Sequence, residues 1–101
     1  MTVLDLANLI QYREHAIASR SFGRKLGIDL PFVAYAFDAG ECISNERSVL
    51  TRLIQVIDGT LMVVAATTTA VTAGQMIVIP ADTPHMLRAD ERCRFIQIET
   101  K

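Results

Sequence analysis

His85 is the residue in this chain best placed to do chemistry. It closes the segment from Gly74 to His85, GQMIVIPADTPH, the most informative stretch of the sequence. Met76 to Ile79 is a four-residue apolar run, too short for a helix and bounded by Gly74 before and Pro80 after, which reads as a buried strand. Pro80 cannot continue a sheet ladder, and Ala81-Asp82-Thr83-Pro84 is turn chemistry. The chain then re-enters an extended stretch at His85, so one imidazole stands just past a tight turn. Such a group can act as acid, base or metal ligand near neutral pH. His15 sits in the polar run Tyr12-Arg13-Glu14-His15 and reads as a surface residue. Cys42 and Cys93 belong to no C-x-x-C pair, which speaks against a redox or zinc motif and for buried free thiols. Met62, Met76 and Met86 read as filling a core or an interface. The sequence contains no nucleophile elbow, P-loop or dinucleotide fingerprint.

The elements that must position His85 are short strands. Arg52 to Ile57 and Leu61 to Ala66 flank Asp58-Gly59, a two-residue hairpin signal that predicts pairing of the two runs. Pro31 to Asp38 predicts a strand with Val33, Tyr35 and Phe37 on one face and Phe32, Ala34 and Ala36 on the other. Ala16 to Phe22 reads as a first strand, Lys25 to Asp29 as a connection, and Thr67 to Val71 as β-prone. Met86 to Arg88 follows the Pro-bounded turn, and Arg94 to Glu99 alternates, with Phe95, Gln97 and Glu99 opposite Arg94, Ile96 and Ile98. Leu6, Leu9 and Ile10 suit one or two helical turns capped by Asp5. Closely spaced strands with turn signals between them predict an all-β sandwich or barrel.

Composition narrows the function classes. A stretch of 101 residues is expected to form one domain, and area scaling gives burial of roughly 65% of the unfolded surface, enough for one core. Ten Lys and Arg are scattered among eleven acids, for a net charge of −1, so there is no basic stripe for nucleic acid. No apolar stretch approaches the ~20 residues that span a bilayer, and no charged region precedes an apolar run at Met1 to Asp5. A cytoplasmic protein with no membrane partner is expected. Half the residues are hydrophobic and the mean hydropathy is +0.29, apolar enough that some surface is expected to be buried in an oligomer.

The spacing of Gly74, Pro80 and His85 resembles the second motif of the cupins, a superfamily of small β-barrels: Gly, five residues, Pro, one residue, Gly, two residues, His, three residues, Asn. Asp82 stands in the second Gly position and Ala89 in the Asn position. Gly40 and Gly59 bracket a window of the length of the first motif. Phrases such as Ala-Phe-Asp-Ala-Gly (36–40), Gln-Val-Ile-Asp-Gly (55–59), Pro-His (84–85) and Arg-Phe (94–95) resemble the small single-domain cupins of the conserved-barrel type, as does Ser19-Arg20. The likeness runs from about Phe37 to Ile98. It implies an antiparallel jelly-roll barrel, or double-stranded β-helix, with at most a short N-terminal helical turn. Residues 1–30 would form an N-terminal extension with the first strands, and 31–100 the conserved barrel.

The resemblance also places a candidate site. The positions of the family's metal ligands are held here by Glu46, Ser48, Arg52 and His85. Serine is a poor ligand for a transition metal, and an arginine neither ligates nor tolerates a neighbouring cation. Only Glu46 and His85 remain as weak metal candidates, so no metal cofactor is expected. The same positions suit a polar, metal-free cavity. In it Arg52 either binds the carboxylate or phosphate of a small ligand, pairs with Glu46, or extends to the barrel mouth. His85 either supplies acid–base chemistry or sits hydrogen-bonded in the core. Three classes stay open: a metal-free small-molecule-binding cupin, an enzyme (an isomerase or lyase, or a weak metalloenzyme through Glu46 and His85), and a structural barrel with a collapsed pocket. A homodimer is expected, because Phe32 to Phe37, Leu61 to Ala66 and Met76 to Ile79 are apolar on both faces and a chain this short offers little cover of its own.

Overall fold

The computed structural model describes every residue from Met1 to Lys101. Nine strands account for about half of it: β1 (Ile17–Ser21), β2 (Phe32–Phe37), β3 (Cys42–Glu46), β4 (Thr51–Asp58), β5 (Thr60–Val64), β6 (Thr68–Thr72), β7 (Met76–Ile79), β8 (His85–Arg88) and β9 (Cys93–Thr100). They form two antiparallel sheets, ordered β1-β2-β9-β4-β7 and β3-β8-β5-β6. Helical structure is confined to a 3-10 turn at Leu6–Asn8 and one α-turn at Gly23–Leu26. The all-β, jelly-roll expectation holds. No helix is long and apolar enough to cross a membrane.

The sheets enclose a core made by alternate residues of their inner faces. Phe37, Ile54, Val56, Leu61, Val63, Val71, Ile79, Leu87 and Phe95 pack together there. Phe95 is the hub: its ring lies 5.1 Å from Tyr35 in a stacked pair and 5.2 Å from Phe37 in a tilted one. Burying a side chain of this size contributes about 1.5–3 kcal/mol, so these rings anchor the two sheets.

The two faces of β2 behave as its alternation predicts. Phe37 points into the barrel, while Ala34 and Ala36 point outward and are still fully buried. Their cover comes from the same chain. Leu9, Ile10 and Phe22, with Leu4, Leu6 and Leu26, pack over Ala34, Ala36 and Ile96 as a second cluster. This corrects the expectation that the chain could provide little cover of its own. The N-terminal segment is fastened by polar bonds: the Tyr12 hydroxyl donates to Asp58 Oδ2 (2.8 Å), and Arg94 donates to the carbonyls of Ala7 (2.7 Å) and Ile10 (3.1 Å). The Arg92 and Arg94 guanidiniums also lie 5.0 and 5.3 Å from the Tyr12 ring centroid, within cation–π range. Burial and the bond to Asp58 push the Tyr12 phenol up to about 12.

Several local readings change. Asp58-Gly59 does not close a hairpin: β4 pairs with β7 and β9, and β5 pairs with β6 and β8. Gly59 is instead the corner at which the chain passes from one sheet to the other. Its φ is +76°, and a Cβ there would stand 2.1 Å from the Arg92 carbonyl oxygen, so only glycine fits. A two-residue Asp-Gly signal cannot distinguish these outcomes, because both need a left-handed residue between apolar runs. The α-turn at Gly23–Leu26 falls where a plain connection was expected, and Asp5 makes no cap bond to the 3-10 turn. Cys42 is exposed while Cys93 is buried, because Cys42 lies on the outward side of edge strand β3. Burial pushes the Cys93 thiol up to about 12 and leaves it unreactive. Met76 is half-exposed, which leaves the interface rather than the core of the two places read for it, and His15 is exposed as expected.

Candidate functional site

Glu46 reaches the barrel interior through a β-bulge. Along β3 the register steps from Ile43, opposite Leu87, to Glu46, opposite His85: three residues on one strand against two on the other. Asn45 carries the extra step with a φ of +58°, a left-handed conformation that asparagine tolerates better than most residues. Without the bulge, Asn45 would share the inward face of Ile43 and Glu46 would point outward. The turn before His85 uses the same device. Asp82, in the position where the motif has its second glycine, has a φ of +61°. Aspartate also visits this region, which explains why it can replace glycine. The Asp82 amide donates to the Ser48 carbonyl (2.7 Å), tying the turn to the segment that follows β3.

Four side chains singled out from the sequence come together at one end of the barrel, and two that were not singled out join them. Arg52 lies on β4 opposite Glu99 on β9, and its Nε donates to Glu99 Oε1 (3.0 Å). Its NH1 lies 3.2 Å from His85 Nε2 and 3.8 Å from Glu46 Oε1. The Ser48 hydroxyl donates to the other oxygen of Glu99 (3.1 Å) and accepts from the Leu50 amide (3.0 Å). Tyr35 stands near the same charges: burial first, and the Glu46 carboxylate second, raise its phenol above the ordinary value.

This geometry assigns the tautomer of His85. Its Nδ1 lies 2.8 Å from the Thr83 carbonyl oxygen, which can only accept, so Nδ1 carries the proton. Nε2 then holds a lone pair and accepts from Arg52. Both ring nitrogens are engaged within the protein, and His85 is only 5% exposed. Arg52 is 8% exposed, so it does not extend to solvent. Its closest carboxylate is Glu99 rather than Glu46, the partner suggested by motif position. One guanidinium facing two carboxylates gives the cluster a formal charge of −1.

The donor set does not suit a metal. The lone pair of His85 that would bind one is occupied by a guanidinium, whose charge repels a cation at the same point. No group of three or more His, Cys, Asp or Glu side chains converges elsewhere to hold an ion.

Beside the cluster lies a slot of about 150 Å³ between the end of β5, β6 and β7. Val63, Ile77, Ile79 and His85 form its inner part, with Ala65, Thr67, Thr69, Pro80 and Thr83 around them. Below Arg52 the barrel is filled by Ile54, Val56, Phe37 and Phe95. Open space borders His85 on two sides: this slot, and a wider groove formed by Ser44, Asn45, Val64, Ala66, Pro84 and Met86 at the ends of β3, β5 and β8.

The residues missed from the sequence, Glu99 and Tyr35, carry a recognisable signal. Each shares an alternating face with a core phenylalanine: Glu99 with Phe95, and Tyr35 with Phe37. A polar residue in phase with an inward aromatic is a candidate lining residue, whatever motif it lies outside.

No protein-family model matches the chain, and no curated protein matches it in sequence. Solved structures do. A conserved protein of unknown function from Streptococcus pyogenes superposes with a TM-score of 0.87 at 26% identity, over 99% of this chain and 87% of that one. A cupin superfamily protein from Desulfitobacterium hafniense gives 0.87 at 22% identity, over 96% of this chain and 88% of that one. A Cupin 2 conserved barrel domain protein from Leptotrichia buccalis gives 0.87 at 25% identity, over 97% of this chain and 47% of that one. With Gly40, Gly59, Gly74, Pro80 and His85 at the motif spacings and two antiparallel sheets closing on one core, the chain has the fold of the small cupins.

Proposed function

We propose that this cupin binds a small organic molecule without a metal, as a sensor or accessory module. The observation that carries the reading is the Arg52–His85 contact of 3.2 Å, which sets a cation against the nitrogen a metal would need, beside a slot that His85 helps to line. Acid–base catalysis by His85 has less support, since neither ring nitrogen is free to take or give a proton to a substrate. Anchoring of a carboxylate or phosphate by Arg52 also loses support, because Nε and NH1 already face Glu99, His85 and Glu46.

Elemental analysis and native mass spectrometry of freshly purified protein test the reading together. The expected result is no stoichiometric metal. Near-stoichiometric iron, manganese, nickel or zinc that survives mild chelation would overturn it.

The protein is further proposed to be a cytoplasmic homodimer. Free Cys42 and Cys93 fit a reducing compartment. The outer face of the five-stranded sheet carries a row from Val78 to Leu53 to Ile98, in register across β7, β4 and β9, which the N-terminal segment leaves uncovered. Val78 is 57% exposed and Met76 51%. Two-fold pairing through this face would bury both.

A further inference from the structure

The slot beside His85 defines a class of ligand more narrowly than the fold does. This inference rests on the small-molecule-binding reading and sharpens it. We propose that the slot takes a small, uncharged, mainly apolar molecule with one hydroxyl or carbonyl group, such as a phenol or a cyclic alcohol.

Three observations lead there. The first is size. The slot measures about 150 Å³ and opens to solvent past Ala65, Thr67, Thr69 and Pro80, leaving room for about one six-membered ring. A six-membered ring with one substituent fills it, and a nucleotide or disaccharide does not enter.

The second is the wall. Val63 and Ile79 are buried and Ile77 is half-buried where they meet the slot. A charge placed against such a wall loses its hydration without gaining a partner, which is costly for either sign. The nearest formal charges lie behind His85, where Arg52, Glu46 and Glu99 already face one another. A carboxylate or phosphate would add a third negative group to a cluster that already carries a surplus of one.

The third is the polar complement. Thr67, Thr69 and Thr83 line the slot, Thr67 and Thr69 at its exposed rim. A threonine hydroxyl both donates and accepts, so these groups can meet a ligand hydroxyl or carbonyl. His85 contributes ring carbons, since its nitrogens are engaged with Thr83 and Arg52.

The test uses the full chain and four probes: phenol, cyclohexanol, benzoate and inorganic phosphate. Binding is read by saturation-transfer NMR and calorimetry. Phenol and cyclohexanol are expected to bind saturably and to compete with each other, while benzoate and phosphate show no saturable binding. Ala65 is exposed and lines the slot, so Ala65→Phe fills the space from its rim without touching the core. It should weaken phenol at least tenfold with an unchanged circular dichroism spectrum. Thr69→Phe, also exposed, gives the same reading should Ala65→Phe fail to fold.

Unaltered phenol affinity in a folded rim variant would overturn the assignment of the slot. Saturable binding of benzoate or phosphate, lost in Arg52→Met, would overturn the ligand class and leave metal-free binding standing. Absence of saturable binding by phenol and cyclohexanol would overturn the inference. Stoichiometric metal in the same sample would overturn the underlying reading as well.

Discussion

Arg52 and Glu99 face each other across β4 and β9, with Nε of one 3.0 Å from Oε1 of the other and both side chains mostly covered. A pair in this position specifies more than it stabilises. Desolvating two charges consumes most of their attraction, yet removing one partner leaves the other buried and unpaired. Glu99→Ala is therefore expected to destabilise the fold by about 2–4 kcal/mol, somewhat below the range for fully buried pairs because a little solvent reaches Glu99. The double variant Arg52→Met/Glu99→Met should recover most of that loss. Chemical denaturation of the single and double variants measures the cycle, and strictly additive losses would show that the pair is not coupled.

Two left-handed positions should respond in opposite ways to alanine and glycine. Gly59→Ala is expected to prevent folding or to lower the melting temperature sharply, since its methyl would overlap the Arg92 carbonyl. Asp82→Gly should be close to neutral, and Asp82→Val should cost at least ~1–2 kcal/mol, the penalty of the left-handed region for residues with a Cβ. Thermal melts of the three variants decide this, and an unharmed Gly59→Ala protein would disprove the corner.

Acid should loosen the contacts of Asp38 only at low pH. The bond from Arg92 (2.8 Å), followed by amide bonds from His15 and Ala39, lowers the Asp38 carboxyl from 3.8 to about 2. A carboxylate depressed in the folded state stabilises the protein above its unfolded value near 3.9, and that contribution fades as pH falls toward 2. Asp38→Asn should thus lower stability at pH 6, with the gap to the parent protein closing between about pH 4 and pH 2. A gap independent of pH would show that the carboxylate charge plays no part.

The uncovered outer row should decide assembly. Light scattering at micromolar concentration is expected to give twice the mass of an 11.2 kDa chain. Val78→Lys, placing a charge in the row, should shift the mass toward the monomer while the fold persists. A monomeric parent protein would mean that the face is covered in another way or not at all.

How much of this was legible depended on whether a feature is local. The Pro-bounded turn and the alternation of Phe32 to Phe37 are written in a few adjacent residues, and the structure keeps them; Met76 to Ile79 is a strand as read, but an edge strand with Met76 and Val78 exposed rather than a buried one. Partners were less legible. Asp58-Gly59 specifies a left-handed step but not whether the chain folds back or crosses between sheets, because that depends on Arg92, remote in sequence. That Glu99 meets Arg52 was hidden for the same reason: its phase with Phe95 marks it as inward, but nothing near it says that β9 lies between β2 and β4. The packing of Leu9 and Ile10 on Ala34 and Ala36 likewise follows from topology rather than from periodicity in either segment.

The bulge at Asn45 makes the parity of β3 a control on the chemistry of the barrel. Deleting Asn45 leaves two ordinary strand steps between Ile43 and Glu46, so Glu46 keeps its place opposite His85. Replacing Asn45 with valine retains the length but disfavours the left-handed step. A strand straightened in that way would turn residue 45 inward and carry Glu46 out to solvent. The conservative-looking substitution thus threatens the site, while the deletion spares it. Whether β3 takes its extra left-handed step, rather than the residue at position 46 alone, governs which group meets Arg52 from this side.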